Sequence, residues 1–269
     1  MNGVGSIDLQ LWQLAAAYIF ILLLIVIVRI KGIEREKEIL ISSIRMTIQL
    51  VLVGYILAYV FDQRHPFYTI IIIAIMLIFA IYNIFKRTKS PLSVEIKRII
   101  ALSMAAGILA SLTYFILVVL QVFPWYEPRY VIPIAGMIIG NAMTGISLGV
   151  NTLLEGMTSN KHLVESALML GATPKAASKQ IVNQAFDAAM LPTINSMVGM
   201  GIVFLPGMMT GQILGGASPI VAIEYQIAVM LGIVGSVSLT VLVFVQFGYK
   251  TFFNSRSQMK ISIGNHKRN

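Results

Sequence analysis

The block LWQLAAAYIFILLLIVIVRI, residues 11–30, carries a single charge, Arg29, close to its end. A helix rising about 1.5 Å per residue needs roughly 20 residues to cross about 30 Å of hydrocarbon, and this run has that length. Its apolar residues are continuous rather than spaced at a 3.6- or 2.0-residue period, so no face is left polar for water. Similar blocks recur at 39–61, 67–85, 99–121, 130–150, 192–214 and 219–248. The fold is therefore expected to be all-α, a polytopic membrane protein of about seven transmembrane helices, and a porin-like barrel does not fit. The last block is long enough to tilt or to project into water. Residues 151–191 are polar, of helical composition, and hold no block long enough to cross. The chain reads as one membrane domain, 1–269, with a tail at 249–269.

Composition agrees: 57% of the 269 residues are hydrophobic and only 12% charged, outside the range of ordinary soluble domains. Lys and Arg are retained on the cytoplasmic side during insertion. One side collects Arg29, Lys31, Arg35 and Lys37, then Lys86, Arg87, Lys89, Lys97 and Arg98. It also holds Lys161, Lys175 and Lys179, and finally Lys250, Arg256, Lys260, Lys267 and Arg268. Only Arg64 and Arg129 fall on the other. The amino terminus is expected outside and the carboxyl terminus in the cytoplasm, in a multi-pass plasma-membrane protein. Trp12 and Trp125 then sit at the outer interface, where amphipathic rings are favoured. The net charge of +9 reads as topology rather than as affinity for nucleic acid. No cleavable signal peptide is expected, since the start lacks a basic region and a small-residue cleavage site. With no cysteine, the chain has neither disulfides nor thiolate metal sites.

Catalytic machinery is not visible. There is no G-x-x-x-x-G-K-[ST] phosphate loop, and His65, His162 and His266 are scattered through loops and tail rather than paired as ligands. The chain is expected not to be an enzyme and to hold no cofactor; if ATP drives it, ATP and Mg bind another chain.

Charge in hydrocarbon costs several kcal/mol, roughly 2.5–3.5 on the lenient insertion scale, so ionisable groups inside the spans are candidates for function. They are Arg45 and Glu224. Arg45 lies in SSIRMTIQL with Ser42, Ser43, Thr47 and Gln49, and reads either as a snorkelling arginine or as a gate or partner contact. Glu224 begins the polar run Glu224-Tyr225-Gln226. The loop before it is so short that Glu224 is expected at the depth of Thr210 and Gln212, across a hairpin.

The stretch PGMMTGQILGG, residues 206–216, is the oddest of the apolar blocks. Pro206 is expected to break its helix, leaving carbonyls that are tolerable only against protein or a wet cavity. Gly207, Gly211 and Gly215 recur every four residues and are expected to form a packing face, as are Gly136 and Gly140. Most of the fifteen methionines are space fillers. Met208 and Met209, with Glu224, are weak candidates for a soft cation, and no metal is assigned.

Residues 161–180, KHLVESALMLGATPKAASKQ, place Leu163, Ala167 and Leu170 on one helix face. Gly171 is then expected to stop that helix and Thr173-Pro174 to open a second, with Thr as its cap. The spacing of Glu165, Ala167 and Gly171, followed by Ala172, Thr173 and Pro174, resembles the start of the EAA loop of ABC-transporter permeases. That loop is the element docking on the ATP-binding subunit. The importer pattern continues I-x-L-P, whereas here Ile181 is in place but Leu191-Pro192 comes later. ESALMLGATPKAA, the run LPTINSMVGMGIVFLPGMMTGQILGG, RMTIQLVLVGYIL and GMIIGNAMTG together resemble the FetB-like permeases over roughly residues 35–250. These are membrane subunits of a bacterial ABC exporter linked to iron export, similar to plant aluminium-tolerance permeases. The resemblance implies a FetA-like ATPase partner and two copies of each subunit. It brings no set of substrate residues.

The reading is thus a permease subunit of an ATP-driven exporter, of iron or a related metal. The residues expected to line or gate its path are Arg45, Gln49, Asn141, Asn195, Met208, Met209, Thr210, Gln212 and Glu224. An ABC permease for a non-metal cargo remains open. A gradient-driven carrier or channel would suit one broken span, but no second broken span is seen and the elbow would then have no role.

Overall fold

The computed structural model describes residues 10–88 and 91–260. Lys89, His266, Lys267 and Arg268, with the rest of the tail beyond 260, lie outside the described residues. The order is α1 (Leu11–Ala17), α2 (Ile19–Ile30), α3 (Glu36–Gln63), α4 (Pro66–Arg87), α5 (Val94–Tyr114) and a π turn (Phe115–Val119). There follow α6 (Pro128–Ser159), α7 (Lys161–Met169), α8 (Pro174–Gly199), α9 (Gly207–Leu214), α10 (Pro219–Gly248) and a 3-10 turn (Tyr249–Phe252). The protein is all-helical, as the apolar blocks require.

Among the described residues six helical stretches are long and apolar enough to cross a membrane: Leu11–Ile30, Glu36–Gln63, Pro66–Arg87, Val94–Val119, Pro128–Ser159 and Pro219–Phe252. The seventh expected block, 192–214, is not one helix. Its first part ends α8, an irregular link follows at 200–206, and α9 supplies the rest. The interruption lies earlier than the sequence suggests. The helix stops at Gly199, Gly201 takes φ +86°, and Pro206 caps the start of α9 in an extended conformation rather than kinking a continuous helix.

The core is built on α6 and α10. Helix α6 packs against α8, α10, α4 and α5, and α10 packs against α5, α6, α8 and α9. Small residues let these backbones close. A Cβ on Gly145 would stand 3.1 Å from the Ala189 carbonyl, and one on Gly156 would stand 2.6 Å from Ile181, so α6 and α8 run antiparallel in close contact. On the other side of α10, Gly107 of α5 leaves room for Thr240.

The expected glycine face of α9 is different. No atom comes within 4 Å of a Cβ built on Gly207 or Gly211, and Gly215 meets only carbonyls of its own turn. Gly140 is likewise open, whereas Gly136 touches Met76. Periodicity identifies stackable glycines, but which stripe is used depends on which helix lies opposite.

Helices α1–α3 form a hairpin at the periphery. Helix α2 packs on α3, and the Tyr18 hydroxyl hydrogen-bonds to Thr47 Oγ1. Val28, Ser43 and Val60 are buried, while most of the apolar surface of this hairpin is bare. The segment after α10 turns back into the fold: Phe252 and Phe253 are buried, and Lys260 Nζ reaches Glu95 Oε2 of α5 at 2.7 Å.

Candidate functional site: elbow, lever and polar face

Polar residues 151–191 do not form a separate loop. Helix α6 continues to Ser159, and α8 begins at Pro174 and runs 26 residues to Gly199, about 39 Å at the helical rise. Between them α7 makes the elbow. It ends as its sequence dictates: Gly171 takes φ +89°, its N–H donates to the Leu168 carbonyl at 3.0 Å, and Ala172 N–H donates to Ala167 at 3.0 Å. This is how orphaned helix-end carbonyls are satisfied when a glycine can turn left-handed. Thr173 then caps α8, its Oγ1 accepting from Ala176 N–H at 3.3 Å, with Pro174 in the first helical position.

The elbow is held by Val164, which is buried, and by Leu168, which packs on the core. Glu165 pairs with Lys161 at 3.7 Å along α7. The tip is bare. Leu163 is 70%, Met169 86% and Leu170 89% exposed, while Ala167 is half-buried. A cleft of about 660 Å³ separates this tip from the turn after α10, with Glu165, Met169, Asn254 and Arg256 among its walls.

From the elbow, α8 leads directly to the irregular link. There Gly201 N–H donates to Phe204 O at 3.0 Å and Val203 N–H to Gly199 O at 2.9 Å. Ile202 and Val203 are exposed, and Phe204 folds back against Gly199. On α9, Met209 is buried, Met208, Thr210 and Gln212 are half-buried, and Thr210 Oγ1 donates to the Pro206 carbonyl at 3.1 Å.

Along α6, away from its buried face, runs a stripe that sequence reading reached only at Asn141. Asn141, Thr144, Ser147 and Asn151 each bond to the carbonyl four residues back, at 2.8, 3.1, 2.7 and 2.8 Å. Each hydroxyl proton and one N–H of each amide is thus taken up within the helix, on a surface that is half-buried to exposed. On α8, Asn183, Gln184, Asp187 and Asn195 are exposed, Asn183 and Asp187 on the side turned away from the Ile181, Ala185 and Ala189 face that meets α6. The antiparallel register of the two helices sets Asn141 and Asn195 at similar heights. The signal for the stripe was a spacing of three to four residues between Asn, Thr, Ser and Asn; Asp187 was missed because its segment was read as water-facing.

The remaining expected residues are not gathered there. Arg45 and Gln49 are exposed on α3, the Arg45 guanidinium lying 5.3 Å from the Phe79 ring centre, a cation–π contact that fits the snorkelling alternative. Glu224 lines a groove whose walls come from α5, the π turn and α10, with none from α9. It therefore does not share a cavity with Thr210 and Gln212 as the hairpin argument expected, because it projects from another side of α10. Gln226, two residues on, is buried instead, and its Oε1, Gln212 Oε1 and the Tyr225 hydroxyl have no partner. No group of three or more His, Cys, Asp or Glu able to hold a metal occurs among the described residues. The stripe holds amide and hydroxyl groups rather than the ligands of a tight coordination shell.

Comparison with known proteins adds a family. Residues 11–253 match the profile of an uncharacterised protein family, UPF0014. The chain is 36% identical over 250 residues to a protein of Escherichia coli named probable iron export permease protein FetB, covering 93% of this chain and 95% of that one. It is 35% identical over 248 residues to the UPF0014 membrane protein YjkA of Bacillus subtilis, covering 92% and 97%. It is also 36% identical over 250 residues to Protein ALUMINUM SENSITIVE 3 of Arabidopsis thaliana, covering 93% and 89%. No solved structure matches the chain.

Proposed function

We propose, because the chain belongs to the UPF0014 family of membrane proteins, that it is the permease subunit of an ATP-driven exporter energised by a separate ATP-binding chain. The observation that carries this reading is mechanical. A solvent-exposed apolar elbow at Leu163, Met169 and Leu170 is joined through the Thr173 cap to a helix that runs without interruption to the link at 200–206. Force applied at the elbow is carried along α8, which stays helical past its internal Pro192, to the irregular link, and across that link to α9. A bare apolar tip of this size is a docking feature, and its occupant is an ATPase that closes on nucleotide and moves α8 against α6.

Two permeases and two ATPases form the working complex, with the elbow side in the cytoplasm. Cargo passes the polar stripe of α6 beside α8, and Met208, Met209, Thr210 and Gln212 gate it. Ferrous iron is the cargo suggested by the relative named as an iron exporter. The donors are weak for a bare metal, which suits release on the far side. They equally suit a hydrogen-bonding solute, the second reading.

The test is reconstitution of both subunits in vesicles with ATP outside and ferrous iron as cargo. ATP-dependent accumulation is expected, and Leu170→Asp is expected to abolish copurification of the ATPase while leaving the permease folded. Asn141→Leu with Asn195→Leu should lower transport at least tenfold with the complex intact. Transport that persists in the permease alone, driven by an ion gradient, would refute the ATP-driven assignment.

A further inference from the structure

The groove on the far side of α10 is not used by that mechanism. It has a volume of about 620 Å³, within the range of about 300–1,000 Å³ that small-molecule sites occupy. Its walls are mainly apolar, from Phe115, Ile227, Leu231 and Leu239, with Ser111 and the Tyr114 ring on α5 and two polar groups on α10. One is Glu224, about one and a half turns into the helix, exposed and with no hydrogen bond or ion pair among the described residues. The other is Ser236, fully buried, whose hydroxyl has no partner. Twelve residues of α10 separate them, about 18 Å at the helical rise.

The groove is shaped by two departures from regular packing. Residues Phe115–Val119 form a π turn, a rare conformation that occurs frequently at functional sites. It brings the Phe115 ring to 2.7 Å from where a Cβ on Gly232 would stand. At Gly235 the opposite holds: nothing lies within 4 Å of an added Cβ, so the groove is open there.

We propose that this groove binds an elongated lipophilic cation, its protonated nitrogen at Glu224 and a hydrogen-bonding group at Ser236. A carboxylate inside a membrane span is costly unless it is paired or hydrated, and the described residues supply Glu224 no cation. A second copy offers little: Arg45 lies toward the opposite end of the bundle, and Arg64 and Arg129 lie at helix termini rather than inside the span. A phospholipid with an amine head satisfies Glu224, but its acyl end leaves Ser236 unpartnered.

The probe is 12-aminododecan-1-ol, measured by equilibrium dialysis against the full chain in an uncharged detergent. Saturable binding is expected, at least tenfold tighter than that of 1,12-dodecanediol, which lacks the charge. Glu224→Gln should remove that difference. Ser236→Ala should weaken the amino alcohol severalfold while leaving dodecylamine, which lacks the far hydroxyl, unchanged. Gly235→Leu sets its Cβ in open space and its branch in the groove, so it should abolish binding in a protein of unchanged melting temperature. Equal affinity in Glu224→Gln, binding retained in Gly235→Leu, displacement by phosphatidylethanolamine, or no saturable binding would each overturn the proposal. None of these measurements involves ATP or an ATPase, so they stand apart from the transport assignment.

Discussion

Glycines separate into two kinds by what stands opposite them. Gly156 faces Ile181 with no room for a Cβ, so Gly156→Leu overpacks the α6–α8 seam. Such substitutions cost typically about 1–3 kcal/mol, and a lowered melting temperature in detergent is expected. Gly211 faces nothing within the chain, so Gly211→Ala should leave the isolated permease as stable or slightly more so, by up to about 1 kcal/mol from helix propensity. If the same change weakens self-association, the bare α9 face is a contact between copies. Periodicity had marked Gly207, Gly211 and Gly215 for packing and passed over Gly145, Gly149 and Gly156. Spacing is local, whereas occupancy of the opposite side is a property of the neighbouring helix. Glu224 makes the same point: the short hairpin says nothing of its azimuth on α10, which turns it into the groove beside α5.

At the scale of elements, the elbow was the most legible part. Gly171 as a stop and Thr173-Pro174 as a start follow from backbone chemistry that needs no tertiary partner, and the structure has both. Thr173→Ala removes the cap and should cost about 1 kcal/mol, read as a smaller melting temperature with the fold retained. Gly171→Val forces a β-branched residue into the left-handed region and should reorient α7 against α8. The expected result is loss of ATPase activation at nearly normal expression, measured on the copurified complex. What the sequence misjudged was continuity. Polar composition suggested a water-facing segment at 151–191, yet α8 lies along α6 with Ile181, Ala185 and Ala189 buried. The apolar block at 192–214 suggested one span, yet Gly201 and Pro206 divide it. Average hydropathy over a window sees neither a buried stripe of alanines nor a single left-handed residue.

At the scale of the whole molecule, orientation is open to direct measurement, because the natural chain has no cysteine and any introduced thiol reports alone. A cysteine at Arg64 is expected to react with a membrane-impermeant maleimide in intact cells, and one at Met169 only after permeabilisation; the reverse pattern would invert the topology. A carbodiimide is expected to join Glu95 to Lys260 as an amide, found by peptide mass spectrometry, since the carboxylate and the amine meet at 2.7 Å; Lys260→Arg should remove the cross-link. That this chain is a helical membrane protein with an elbow between its fifth and sixth apolar blocks was legible from the residues alone. Long apolar runs, basic loops and glycine or proline stops act through solvation and backbone sterics at the residue where they occur. That α8 links elbow to broken segment, that α6 carries a polar stripe away from its packed face, and that Glu224 opens into a groove of its own came from the packing instead. Those depend on which faces of which helices meet, a matter of close packing between residues far apart in the chain.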